Sequence, residues 1–403
     1  MNPHGINADP QHAVISLPPP DAAALAHSAR LIDRIRAELD GRSGYIGFDR
    51  YMELALYEPG LGYYSAGARK FGQDGDFVTA PELSPLFSIC LARQCRQILT
   101  GLPDGSILEL GAGTGKMACD ILLELQRCNA LPARYLILET SADLKQRQQQ
   151  LLQAEIPDYF TRIIWLERLP EQPLSGVILA NEVMDALPVH RIVDRQGVLY
   201  ELQVQWHGGD FAWLEVPAGP ALSRQVQDIK RQLRYSWPEV YTTEINMTLA
   251  PWLAALSESL TQGVMLLIDY GYPRNEFYHP ERTDGTLLCH YRHRVHADPF
   301  LYPGLQDITA SVDFTAVATA AVKAGLDVTG YTNQMYFLLG CGLDTILADM
   351  GASGLRQQLE LANQAKMLTL PGGMGERFKV IALSRGMAGG LAGFAIMDQR
   401  KHL

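Results

Sequence analysis

Apolar positions along this chain fall into short runs separated by amphipathic stretches, and one run organises the others. Ser106-Ile107-Leu108-Glu109-Leu110 leads into Gly111-Ala112-Gly113-Thr114-Gly115-Lys116, and an amphipathic stretch from Met117 to Gln126 follows at once. A buried strand, a tight turn and a helix start are expected there. The same alternation then repeats. Tyr135–Glu139 reads as a second strand, and Ser141 caps a glutamine-rich helix over Ala142–Gln153. Arg162–Leu166, Val177–Ala180 and Val264–Asp269 read as the third, fourth and fifth strands, Phe314–Ala324 as a helix, and Asp327–Tyr331 and Phe378–Leu383 as the last two strands. Strands alternating with helical segments predict an α/β fold, a parallel sheet with helices on both faces.

The pattern before residue 105 is different. Residues 1–20 are polar with three consecutive prolines and are expected to be a disordered leader. Residues 21–104 are read as an N-terminal segment. It comprises an amphipathic helix over Asp21–Leu39, two tyrosine-rich pieces around Pro59-Gly60, a Gly/Pro-rich loop from Phe71 to Ser84, and a helix over Pro85–Leu99 capped by Ser84. The tyrosine-rich pieces are expected to be mostly core. The main domain spans 105–385. Residues 190–262 are too long for a single crossover; they begin as β-ribbon, with Gly208-Gly209 as a hairpin turn, and their second part reads as helical. Residues 271–312 read as a long loop, and the tail 386–403 as loose.

Charge and cysteine content narrow the function classes. The 403 residues carry 34 Lys+Arg against 44 Asp+Glu, a net charge of −10, which argues against nucleic acid as the main partner. Six cysteines without paired spacing suit a reducing compartment. No apolar run reaches the roughly 20 residues of a membrane span, and the first 25 residues hold no Lys or Arg for a secretory or transit signal. A cytoplasmic location is expected.

The glycine turn sets the candidate chemistry. Glycines let a ligand touch bare backbone, and the helix behind them offers unpaired N–H groups. A dinucleotide turn requires G-x-G-x-x-G, but Lys116 stands at the third glycine position, which disfavours NAD. The phosphate-loop pattern fails at Met117. The E-x-G-x-G-x-G run of Glu109, Gly111, Gly113 and Gly115 instead suits S-adenosylmethionine. Glu139, at the end of the second strand, is placed to accept both ribose hydroxyls. The fourth strand delivers Asn181, Glu182 and Asp185 at its carboxyl end, where open α/β sheets bind ligands. The cofactor set is therefore Glu109, Gly111, Ala112, Gly113, Gly115, Glu139, Thr140 and Asn181. Asp76 and Thr79 join it from a loop expected to close over the cofactor. A guanidinium acceptor would be gripped bidentately by a carboxylate, with Glu182 first in line. Asn181 would orient it, and Asp185 would either assist or cap the next turn. Asp269 is expected either to face the cleft or to satisfy donors in its own turn. Asp307 and Asp313 are secondary candidates. In Cys289-His290-Tyr291-Arg292-His293-Arg294-Val295-His296 the histidine spacing is no standard zinc pattern and arginines surround it, so no metal is expected; a lid or substrate contact suits the stretch better.

These pieces together resemble the MidA-like methyltransferases. The resemblance runs from about Gly44 to Ser384 and is carried by IGFDRYMELALYEPGLGYYS, DFVTAPELSPLF, the glycine turn, LETSADL, NEVMDALPV, IDYGY, DITASVDF and GMGERFK. It implies a class I methyltransferase fold, a Rossmann-like seven-stranded sheet with an N-terminal segment and an inserted substrate-side subdomain, with S-adenosylmethionine as cofactor. The family's mitochondrial members assist respiratory complex I assembly and methylate a protein arginine. The implied partner is a protein substrate, with no nucleic acid or membrane insertion; a homodimer is compatible. Two other readings stay open: methylation of a small molecule or another residue type, and a cofactor-binding assembly chaperone without turnover.

Overall fold

The computed structural model describes residues 17–66, 78–350 and 355–403. Its centre is an eight-stranded sheet. Seven strands form a continuous path: β1 (Ser106–Leu110), β2 (Tyr135–Leu138), β3 (Ile163–Leu166), β4 (Leu174–Asn181), β5 (Leu260–Tyr272), β6 (Asp327–Asn333) and β7 (Phe378–Arg385). Their spatial order is β3-β2-β1-β4-β5-β7-β6, and the short strand Val312–Asp313 pairs with the end of β5. The strands from β3 to β5 are parallel, whereas β7 runs antiparallel to both its neighbours.

Alternation along each strand builds two cores. Ile107, Val177, Leu179, Leu266 and Val380 face the helices Pro85–Thr100 and Lys116–Arg127. Leu108, Ile178, Ala180, Leu267 and Ile381 face Leu249–Glu258 and Phe314–Lys323. Both faces are covered, which is why these strands read as continuous apolar runs. Among the described residues, no helix is long and apolar enough to cross a membrane.

The N-terminal segment and the first insertion are one unit. Strand Tyr45–Gly47 pairs antiparallel with Val198–His207, placing Ile46 opposite Val204. The ribbon His190–Arg195, Val198–His207 and Asp210–Pro217 turns at Gly208-Gly209 as expected, with φ of 64° and 95°. The fifth strand of this sheet, Val240–Ile245, lies in the part of the insertion read as helical. Its alternating Tyr241, Thr243 and Ile245 fill one face. The 271–312 stretch is not all loop: Leu288–Tyr291, Arg294–His296 and Asp307–Thr309 form a small antiparallel sheet. Leu31, Phe48, Val204, Phe211, Leu287 and Ile308 join all three regions in one apolar cluster.

Both chain ends differ from expectation where they are described. Residues 1–16 of the expected leader lie outside the described residues, and Pro19 O accepts a bond from Arg292. The tail after Gly386, expected to be loose, is docked. Phe394 is buried against Phe337, Gly393 N–H donates to Gln94, and Gln399 N–H donates to Tyr331 O. Two apolar anchors, Phe394 and Leu403, outweigh the glycine-rich composition around them.

Candidate active site

The strand order reverses between β1 and β4, and a cavity of about 470 Å³ opens there, beyond the carboxyl ends of β1, β2 and β4. One end is built from the glycine turn. Gly111, Gly113 and Gly115 take φ of 64°, 55° and 88°, in the left-handed region that side chains disfavour. Gly115 also needs its missing Cβ, which would lie 3.2 Å from Gln148. Gly111, Ala112, Gly113, Thr114 and Lys116 all line the cavity. Lys116 turns back to form an ion pair with Asp120.

Two acids face this end. Glu139, in the cavity wall beside Thr140, accepts bonds from Ser141 N–H at 2.8 Å and from Gln148 Nε2 at 3.0 Å. Glu109 is fully buried, and Tyr135 Oη donates to its Oε2 at 2.6 Å. Burial pushes the Glu109 carboxyl up to about 7 against that hydrogen bond. Leu144, Leu169, Trp252 and Leu256 supply an apolar wall.

The β4 end carries the reacting groups the sequence suggests. Asn181 closes the strand and donates through Nδ2 to Glu182 Oε1 at 3.1 Å. Glu182 is a non-glycine residue at φ 54°, a conformation that costs energy and clusters at functional sites. The Ala80 N–H also donates to Glu182. Asp269 supports this turn from β5: its Oδ2 accepts from Met184 N–H at 2.9 Å and Asp185 N–H at 3.1 Å, and its Oδ1 from Tyr270 N–H. Asp269 is absent from the cavity wall and serves backbone donors in two turns. Burial, with Asp185 nearby, pushes Glu182 up to about 8; burial also raises Asp185 to about 6.

The opposite end comes from residues the apolar pattern concealed. Tyr57 and Tyr64 stack at 5.6 Å between ring centres and line the cavity with Asp185 and Asp307. Tyr64 Oη donates to Asp307 at 3.0 Å, and Tyr57 Oη to Ala186 O at 3.0 Å. They stand beside core residues such as Leu56 and Tyr63, so hydrophobic patterning alone gives no signal for them; the cue is the hydroxyl, which seeks a polar partner. Thr79 lines the cavity as the N-terminal neighbour of the short helix Ala80–Leu83, and Glu82 accepts a hydrogen bond from Thr114 in the glycine turn. Asp76 lies outside the described residues.

Two candidates are placed elsewhere. Asp313 caps the helix Phe314–Lys323 and pairs with Arg274 at 3.1 Å, both buried away from this cavity. The Cys289–His296 stretch is a hairpin turning through Arg292 and His293 at positive φ, and none of its residues lines the cavity, so it is neither lid nor wall here.

Residues 90–332 match the Methyltransf_28 family of S-adenosyl-L-methionine-dependent methyltransferases. The chain belongs to this family. A COG1565 superfamily member from Burkholderia thailandensis, crystallised with S-adenosyl-homocysteine, is 42% identical, with a TM-score of 0.90 over 96% of this chain and 100% of that one. The protein arginine methyltransferase NDUFAF7 homolog of Drosophila melanogaster, mitochondrial, is 29% identical over 91% of this chain and 88% of its own length. The mouse protein arginine methyltransferase NDUFAF7 is 28% identical over 85% and 81%. This member is a S-adenosylmethionine-dependent methyltransferase, and its residues fit that cofactor. Glu109 Oε1 and Asn181 Oδ1 are buried at the cavity without a partner among the described residues, as acceptors awaiting donors. An ammonium, a sulfonium and two ribose hydroxyls are the donors and positive charge that acids and amide oxygens match, and the Trp252–Leu256 wall suits a purine.

Proposed function

We propose that this methyltransferase modifies a protein side chain and that the acceptor is an arginine guanidinium. The observation that carries the reading is the convergence of Glu182, Asp185 and Asp307 beneath the stacked Tyr57 and Tyr64 at one end of the cavity. Three carboxyls in a half-apolar recess favour a cation, and a planar guanidinium matches both a carboxylate fork and an aromatic face. The relatives named as protein arginine methyltransferases support the same acceptor.

Bound S-adenosylmethionine supplies an activated methyl group. The chain's own work is therefore positioning and proton handling. Glu139 and the Gly111–Gly115 backbone would hold the cofactor, and Glu109 and Asn181 would satisfy its polar groups. Glu182 and Asp185 would grip the guanidinium, with Asp307 held in place by Tyr64. Glu182, with its carboxyl raised to about 8, is suited to hold the proton the guanidinium gives up. Six free cysteines support a cytoplasmic site of action.

The test uses lysate from a strain lacking the gene, incubated with the purified enzyme and labelled S-adenosylmethionine, with the labelled residue mapped by mass spectrometry. Label on arginine of a protein is expected. Label on lysine or on a metabolite overturns the acceptor reading, and binding of the cofactor without label supports an assembly role instead.

A further inference from the structure

We infer that Gln148 is a positioning residue for the cofactor: its side-chain amide splints the glycine turn to Glu139. The helix Ala142–Glu155 turns Leu144, Gln148 and Leu152 towards the protein. Gln148 sits in the middle of that inward stripe, fully buried, where an apolar residue would be the ordinary choice. Its surroundings explain the exception. Two acceptors converge on Nε2: Gly113 O at 2.9 Å and Glu139 Oε2 at 3.0 Å. One donor, Trp165 Nε1, meets Oε1 at 2.9 Å.

Two acceptors and one donor around a buried group are the complement of a primary amide, which offers two N–H bonds and a carbonyl. A carboxylate at the same place would meet two acceptors with none of its own protons to offer. A leucine would leave Gly113 O, one Glu139 oxygen and the indole N–H without this partner. The contact is also steric, because the glycine at 115 makes room for this side chain. Gln148 does not line the cavity; it acts through Gly113 and Glu139, which do. The amide thereby fixes the distance between the turn that approaches the cofactor and the acid assigned to the ribose. Trp165, on β3, braces it from behind.

The inference rests on the cofactor site alone and is independent of the acceptor. The full-length chain is titrated by calorimetry with S-adenosylhomocysteine and with its 2′-deoxyribose analogue, and folding is checked by near-UV circular dichroism. Gln148→Leu is expected to weaken S-adenosylhomocysteine binding about tenfold or more. It should also shrink the preference for ribose over deoxyribose, because Glu139 Oε2 loses the amide that aims it. Gln148→Glu should weaken binding at least as much. Trp165→Phe, which removes the rear bond and trims the ring that packs on Phe160, should shift both quantities in the same direction by about threefold. A merely structural role would lower thermal stability and leave the ribose preference of the folded fraction at its wild-type value; that result overturns the inference. Should the Gln148 variants not fold, Trp165→Phe decides: an unchanged ribose preference overturns it, and a reduced one supports it.

Discussion

Asp269 Oδ2 accepts the backbone N–H of Asp185 at 3.1 Å, tying the end of β5 to the turn that carries the candidate reacting groups. The same oxygen holds Met184, so one carboxylate fixes the backbone just past Glu182. Asp269→Asn puts an NH₂ among N–H donors or leaves one of them unmet. The expected cost is about 2–3 kcal/mol of stability, read from denaturant unfolding. Turnover should fall about a hundredfold through misplacement of Glu182 and Asp185, while S-adenosylhomocysteine affinity, which draws on the glycine turn, Glu139 and the Trp252–Leu256 wall as well as on Asn181, falls far less. Equal losses of binding and turnover would count against the clasp.

Glu139 is the acid assigned to the ribose hydroxyls. Glu139→Ala should weaken S-adenosylhomocysteine binding about a hundredfold, the loss of two hydrogen bonds to a charged group. Calorimetry on the folded variant measures it directly; unchanged affinity removes Glu139 from the site.

Burial raises the carboxyls of Glu182 and Asp185, to about 8 and about 6. Between the ordinary carboxyl range near 4 and these values, the folded chain holds protons that the unfolded chain has released. Stability of the cofactor-free protein should therefore decline as pH rises from about 5 to 8. Glu182→Gln should flatten the upper part of that decline, which thermal melts across the pH series will register. An identical slope in the variant would show that Glu182 ionises like an exposed acid. In turnover the trend reverses, because gripping a guanidinium needs the anion: kcat/KM for an arginine peptide should rise across the same window.

Tyr64 is the partner that orients Asp307. Tyr64→Phe keeps the stack with Tyr57 but strips Asp307 of that donor, at a cost of about 1–3 kcal/mol. The acceptor KM should rise several-fold while the cofactor KM is unchanged. A shift confined to the cofactor KM would place this wall with the wrong substrate.

The sequence made the frame and half of the site legible, for a physical reason. Strands buried on both faces advertise themselves as apolar runs, and a turn that must adopt left-handed φ advertises itself as Gly111, Gly113 and Gly115. Asn181, Glu182 and Asp185 follow because a parallel strand delivers what comes next to the same edge. The other half consists of side chains whose role depends on distant partners. Tyr57 and Tyr64 look like core until Asp307, more than 240 residues away, is brought beside them. Gln148 looks like one polar residue of a polar helix, since no local pattern reveals that Gly113 and Trp165 surround it. Asp269 was readable only as one of two alternatives, and the cross-strand bond to the 184–185 backbone selects the second and extends it. The tail misled because composition reports the average of a segment, while docking depends on particular positions: the Phe394 and Leu403 side chains and the backbone bonds of Gly393 and Gln399.

Just as Tyr45–Gly47 pairs with Val198–His207 far along the chain, the end of the cavity opposite the glycine turn is assembled from distant stretches. The glycine turn and its neighbouring strands are synthesised well before Asp307 emerges. A chain ending before Asp307 has Tyr57, Tyr64, Glu182 and Asp185 but lacks the carboxylate that Tyr64 holds. This end of the cavity is therefore complete only when residues on both sides of the glycine turn, from Tyr57 to Asp307, have been made.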